Sequence, residues 1–231
     1  MSGWIGLARR SAKRTFRDRR DAGLVLAEAL AAYRGRDDLL VLGLARGGIP
    51  VGWEVAASLR APLDVFLVRK LGVPQWEELA MGALAGGGAL VINESLMRSL
   101  HISDDALRVS IERETGELHR REEAYRGGRP QADPTGKIVV LVDDGIATGA
   151  SMLAAVRAVR AMRPERVVVA VPVAPGSACR QLGNEADDVV CAVSPSSFEA
   201  VGQVYADFHQ VSDDEVRDLL ATPTVIDGTA N

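Results

Sequence analysis

The chain has 231 residues, 47% hydrophobic and 25% charged, a balance that suits a globular fold with a sizeable core. Its formal charge of −4 argues against a protein that grips nucleic acid by neutralising phosphates, so nucleic acid is not an expected partner. No apolar run reaches the ~20 residues that span a bilayer, and with 4% aromatics the core must come mainly from Ala, Val and Leu.

In chain order, the opening MSGWIGLARRSAKRTFRDRR is basic without a following apolar stretch. It does not read as a secretory signal, and a cytoplasmic protein is expected. Helical periodicity follows near 18–33. Short apolar runs at 39–45 (LLVLGLA), 63–70 (LDVFLVRK), 89–93 (ALVIN), 137–144 (KIVVLVDD), 166–174 (RVVVAVPVA) and 188–193 (DVVCAV) read as strands. Several are apolar at consecutive positions, as expected of strands covered on both faces. Between them, helices are expected near 50–60, 104–125, 150–163 and 176–183. The alternation predicts an α/β fold with a mainly parallel sheet flanked by helices.

Within that frame, Ser103 is a natural N-cap, and Asp104 and Asp105 suit the positive end of a helix. The remainder of that helix is densely charged and reads as a solvated face. Residues 127–137 read as an exposed connection, one domain is expected over 1–220, and 221–231 reads as a frayed tail. Cys179 and Cys191 lack metal or redox spacing and are expected as reduced thiols. His101, His119 and His209 are too scattered to suggest a metal site, so no protein-held metal is expected.

The stretch VVLVDDGIATGAS, residues 139–151, carries the chemistry. A buried strand runs into Asp143 and Asp144, then into a loop of small residues and a helix marked by Met152, Val156 and Val159. Ligands of open parallel sheets bind beyond the carboxyl ends of the strands, where the next helix presents unpaired N–H groups. Gly149 lets backbone approach a ligand, and the hydroxyls of Thr148 and Ser151 can donate to phosphate oxygens. Two carboxylates beside a phosphate make sense as acceptors for hydroxyl groups or beside a cation. A phosphorylated sugar satisfies both halves, whereas the Gly-x4-Gly-Lys-Ser/Thr pattern of a nucleoside-triphosphate loop is absent.

This stretch resembles the phosphoribosyl-pyrophosphate (PRPP) motif of type I phosphoribosyltransferases. The resemblance implies that Asp143 and Asp144 hold the ribose hydroxyls. It also implies that Ala147, Thr148, Gly149, Ala150 and Ser151 wrap the 5′-phosphate, and that Gly145 and Ile146 belong to the same PRPP-binding loop. GLARGGIPVG (43–52) resembles the family's pyrophosphate loop and places Arg46, Gly47 and Gly48 there. In VRKLGVPQWEELAMGALAGGG (68–88), Arg69 and Lys70 stand at a strand end where they could neutralise leaving pyrophosphate. The glycines after them suggest the mobile cover that the family uses to exclude water. Glu77 and Glu78 are candidates to assist the acceptor or leaving group, with Glu78 preferred.

Members of this family that act on 6-oxopurines usually carry Asp where this chain has Ala147, so a hypoxanthine or guanine acceptor is not indicated. Phe198, Tyr205 and Phe208 lie close together in 194–211, where they could stack on a planar acceptor or pack as a small C-terminal hood. Trp76 is a further stacking candidate. The resemblance implies transfer of a phosphoribosyl group from PRPP to a nitrogenous base, with Mg2+ held mainly through PRPP, by a homodimer. A non-catalytic PRPP-binding regulator is the other reading, although no DNA-binding helix pair precedes the sheet, and a pyrophosphate-releasing hydrolase is a third.

Overall fold

In the computed structural model, residues 15–74 and 76–225 are described. Five strands form a parallel sheet in the order β2-β1-β6-β7-β8: β1 (Leu39–Leu44), β2 (Leu63–Phe66), β6 (Ile138–Val142), β7 (Arg166–Val173) and β8 (Asp188–Val193). Every residue of β1 and β6 is buried, which is why both read as unbroken apolar runs. Successive side chains still serve opposite faces. Leu39, Val41 and Val140 meet α1 (Arg19–Ala29) and α2 (Gly48–Leu59), while Leu40, Leu42, Val139 and Leu141 meet α5 (Ala150–Ala161) and α6 (Gly176–Leu182).

A second, antiparallel sheet of three strands was not anticipated: β3 (Val68–Val73), β4 (Trp76–Ala85) and β5 (Ala89–Ile92). The run expected as one strand over 63–70 breaks at Leu67, where the chain leaves the parallel sheet for the second one. Apolar patterning continues across the break, so the sequence carries no mark of the change of partner. Much of the segment read as a mobile cover is β4, the central strand. Its small residues serve close packing: a Cβ on Gly82 would stand 2.5 Å from the carbonyl oxygen of Val91. The short helix α3 (Glu94–Ser99), capped by Asn93, also escaped the periodicity.

The helix α4 (Asp104–Arg126) begins as expected, with the Ser103 hydroxyl accepting from the Ala106 N–H at 3.2 Å. Its outer face is laced with pairs such as Glu117 with Arg120 and Arg121. Its inner face is not solvated: Leu118 and Tyr125 join Leu71, Met81 and Leu84 in a core that includes Val216 and Leu220 of α7 (Asp213–Ala221). Arg126, at the end of α4, is buried and donates to both carboxylate oxygens of Asp64 (3.2 and 3.3 Å) and to the Val65 carbonyl (2.8 Å). That clamp fixes α4 to β2. After α7 the chain stays docked as far as it is described, with the Thr224 hydroxyl donating to the Ala61 carbonyl at 2.7 Å.

Cys179 of α6 and Cys191 of β8 are joined as a disulfide, correcting the expectation of free thiols. Both are buried where α6 packs on the outer strand, a contact that twelve residues of sequence separation did not reveal. Among the described residues no helix is long and apolar enough to cross a membrane.

Replacing Arg126 with Met leaves Asp64 and Glu122, its two acidic neighbours, without their cation. Removing one partner of a buried pair typically costs about 3 kcal/mol. A loss of that order is expected for Arg126→Met in urea denaturation, and a change under about 0.5 kcal/mol would mean that the clamp is dispensable.

Candidate active site

The carboxyl ends of β1 and β6 point to one rim of the sheet, and two loops leave from it. After β6, residues 143–149 lead into α5, whose N-cap is Gly149 in the left-handed region at φ 84°. Only glycine adopts that conformation without strain, and it turns the first N–H groups of α5 toward the loop. Ala147, Thr148, Ala150 and Ser151 are exposed, so the cradle is open to solvent. Gly145 and Ile146 play another part. Ile146 is buried in the core with its N–H bonded to the Val173 carbonyl at 2.9 Å, and Gly145 packs against Val173 and Val201. Their side of the loop is an anchor, and only backbone remains to meet a ligand.

After β1 comes the turn of Arg46, Gly47 and Gly48, entered through a cis peptide between Ala45 and Arg46. The two glycines are required by close approach. A Cβ on Gly47 would collide with the Asp144 carboxylate, and one on Gly48 would stand 2.5 Å from the Val142 carbonyl oxygen. The two loops are therefore in contact. The Arg46 guanidinium is half-buried, 3.6 Å from Asp213 at the start of α7, and Asp213 also accepts from the Tyr125 hydroxyl at 2.6 Å. Burial, with the Asp213 hydrogen bond, pushes the Tyr125 hydroxyl up to about 12.

Asp143 and Asp144 lie at the meeting of these loops. The Asp144 N–H donates to Asp143 Oδ1 at 2.9 Å. Asp144 in turn is held by Arg19, the first residue of α1, through Nε and Nη2, each 2.8 Å from Oδ2. The C-terminal segment 194–211 completes the rim as the expected hood. Tyr205 donates its hydroxyl to the Asp144 carbonyl at 2.6 Å, and Phe208 stacks on Tyr205 with ring centroids 5.0 Å apart. The hood is tied to the residues before α1 by the Phe16 N–H to Val204 carbonyl bond at 2.7 Å and by an isolated bridge from Phe16 to Tyr205.

Arg69 and Lys70 point to opposite faces of β3. Neighbours in a strand face opposite ways, and Arg69 is turned to α4, where the buried Glu114 takes its Nε and Nη2 at 2.8 and 2.7 Å. In the ligand-free protein Arg69 is therefore engaged by Glu114. Lys70 faces the other way and lines a cavity of about 540 Å3 shared with Ser151, Ala150, Val91 and Arg157. Its volume falls in the range of small-molecule pockets. Trp76 is exposed at the start of β4, and the side chains of Glu77 and Glu78 lie outside the described residues.

Arg19 escaped the sequence reading because four arginines stand between residues 14 and 20. The signal was nonetheless there. Arg19, Ala22, Gly23, Leu26 and Ala27 are the buried face of α1, at helical spacing, and Arg19 is the one charge on it.

Burial pushes the Asp143 carboxyl well above the usual carboxylate range, and the charge of Asp144 adds to the effect. Asp144 is also raised by burial, with Arg19 opposing. A native-state pKa above the unfolded value means the folded chain holds that proton more tightly. The stabilisation is present below the unfolded pKa and lost as pH rises through the raised one. Asp143→Asn keeps the oxygen that accepts from Asp144 and removes the charge. It is expected to stabilise the ligand-free protein by about 1 kcal/mol at pH 7, with the gain closing as pH falls toward about 4. Equal melting curves for the two proteins at pH 7 would show that Asp143 carries no desolvation cost.

A family model described as phosphoribosyl transferase domain matches residues 21–209. Two proteins from two strains of Mycobacterium tuberculosis, provisionally named phosphoribosyl transferases, are 49% identical over 201 residues, or 87% of this chain. The chain spans about half the length of these relatives, 45% of each. The crystal structure of TT1426 from Thermus thermophilus is 48% identical with a TM-score of 0.79, covering 89% of this chain and 97% of that one. With a family match across most of its length, on a sheet whose rim carries the two acids and the small-residue loop, the chain belongs to the phosphoribosyltransferase family.

Proposed function

We propose that this chain binds PRPP with Mg2+ and transfers its phosphoribosyl group to a small nitrogenous acceptor, releasing pyrophosphate. The observation that carries the reading is the junction of β6 with α5. There a carboxylate pair and an open, glycine-capped helix N-terminus occupy one rim. Residues 147–151 would receive the 5′-phosphate through N–H groups and the Thr148 and Ser151 hydroxyls. Asp143 and Asp144 would accept from ribose hydroxyls, and Arg46 with the backbone of Gly47 and Gly48 would meet the pyrophosphate.

Breaking the anomeric bond gives the sugar oxocarbenium character, as in glycoside chemistry. The chain then needs no nucleophile of its own. Its work is to hold the sugar in line, to offer positive charge to the leaving group and to keep water away. Lys70, exposed on the wall that faces Ser151, is placed to offer such charge. When bound, Mg2+ would neutralise pyrophosphate oxygens. The carboxylates of Asp143 and Asp144 are the groups of this rim that could reach such an ion, which suits Mg2+ held mainly by the substrate's own oxygens. A cytoplasmic homodimer belongs to the same proposal and is supported by the family resemblance.

Calorimetric titration with PRPP, with and without Mg2+, tests the reading. Magnesium-dependent, saturable binding is expected, followed by pyrophosphate release when the right base is supplied. Binding with no release across a panel of bases would favour a sensor, and no binding would overturn the proposal. Thr148→Val is expected to weaken PRPP binding by about 1–3 kcal/mol, because its hydroxyl would contact a charged phosphate.

A further inference from the structure

Arg19 is 8% exposed, yet its contacts reach two separate parts of the rim. Nε and Nη2 converge on Asp144 Oδ2, and Nη1 donates to the His209 carbonyl at 2.8 Å. Its guanidinium carbon stands 4.0 Å from the centre of the Phe208 ring. One cation thus joins the start of α1, the end of β6 and the hood.

The two carboxylates it stands beside are left in different states. Asp144 is fixed by Arg19 at its carboxylate, by Gly47 packed against that carboxylate and by Tyr205 at its carbonyl. Among the described residues, the Asp143 carboxylate accepts from the Asp144 N–H alone, through Oδ1. A buried ion pair generally adds little stability over apolar groups of the same size, so stability alone does not account for a charge at this place. A planar fork that can serve a carboxylate, a carbonyl and an aromatic face at once does account for it.

Resting on the PRPP reading above, we propose that Arg19 is a positioning residue that makes ribose capture and hood placement one event. It fixes the Asp144 carboxylate through Oδ2, leaves Asp143 and Asp144 Oδ1 as acceptors for the ribose hydroxyls, and seats residues 207–209 beside them. Arg19 itself touches no reacting atom.

The test compares two ligands, PRPP and inorganic pyrophosphate, each with Mg2+, on wild type, Arg19→Gln, Arg19→Lys and Phe208→Leu. Pyrophosphate lacks the ribose and reports on the other loop. Arg19→Gln is expected to weaken PRPP binding about tenfold or more while changing pyrophosphate binding less than about twofold. Arg19→Lys, which keeps the charge without the fork, should recover part of the loss. Phe208→Leu, at a partly exposed ring, should weaken PRPP alone by a smaller factor.

Equal PRPP affinity in wild type and Arg19→Gln would overturn the inference and leave the PRPP reading standing. A parallel loss of both ligands would also overturn it, because a merely structural role predicts that pattern. Should Arg19→Gln fail to fold, wild-type PRPP affinity in both Arg19→Lys and Phe208→Leu would overturn it. A wild-type protein that binds no PRPP would remove the reading on which it rests, and the inference with it.

Discussion

Asp143 and Asp144 close a strand whose five residues are all buried, so two negative charges stand where a parallel sheet offers little water. A parallel strand buried on both faces has no polar side to turn them to. Much of the surrounding architecture answers that cost. Arg19 brings a cation from the far end of the chain, 125 residues away in sequence. Gly47 gives up its side chain so that the Asp144 carboxylate can lie against backbone. Tyr205 reaches in from the hood to the carbonyl of the same residue. Each contact comes from a different element, so α1, the β1–α2 turn and the hood are held together by the group they compensate.

Compensation is unequal between the two carboxylates. Arg19 pairs with Asp144 through Oδ2 and opposes the effect of burial there, while for Asp143 the charge of Asp144 adds to it, so both carboxyls stay raised in pKa. A group that is costly in the ligand-free protein is one whose cost a ligand can relieve, by donating hydroxyls to it. The second sheet follows the same division of labour. Its strand β3 turns Arg69 to Glu114 of α4 and Lys70 to the cavity beside the start of α5.

What the sequence disclosed is what is local. A strand, its two terminal acids, a glycine-capped turn and the following helix occupy 14 consecutive residues from Val139 to Met152, and each step has a short-range cause. The same holds for Ser103 as the cap of α4 and for the double-faced burial of β1 and β6. What it hid is what depends on pairing at a distance. The break at Leu67 keeps its apolar pattern while the hydrogen-bond partner changes from β1 to β4. The glycines of 82–88 read as flexibility, although Gly82 is fixed by the close approach of β5. Cys179 and Cys191 meet only because α6 folds onto β8.

Arg19 lies between these cases, and its position shows how a distant contact can leave a local trace. A charge on the apolar stripe of an amphipathic helix violates the helix's own pattern, and a buried charge must find its partner elsewhere in the fold. The sequence offered two candidates for that partner in Asp143 and Asp144, two charges at the end of a buried strand. Two local violations of opposite sign, far apart in the chain, each require what the other supplies. The fold brings them to 2.8 Å. The hood then has a reason to order itself, because His209 offers the carbonyl and Phe208 the ring face that the guanidinium still lacks once Asp144 is paired.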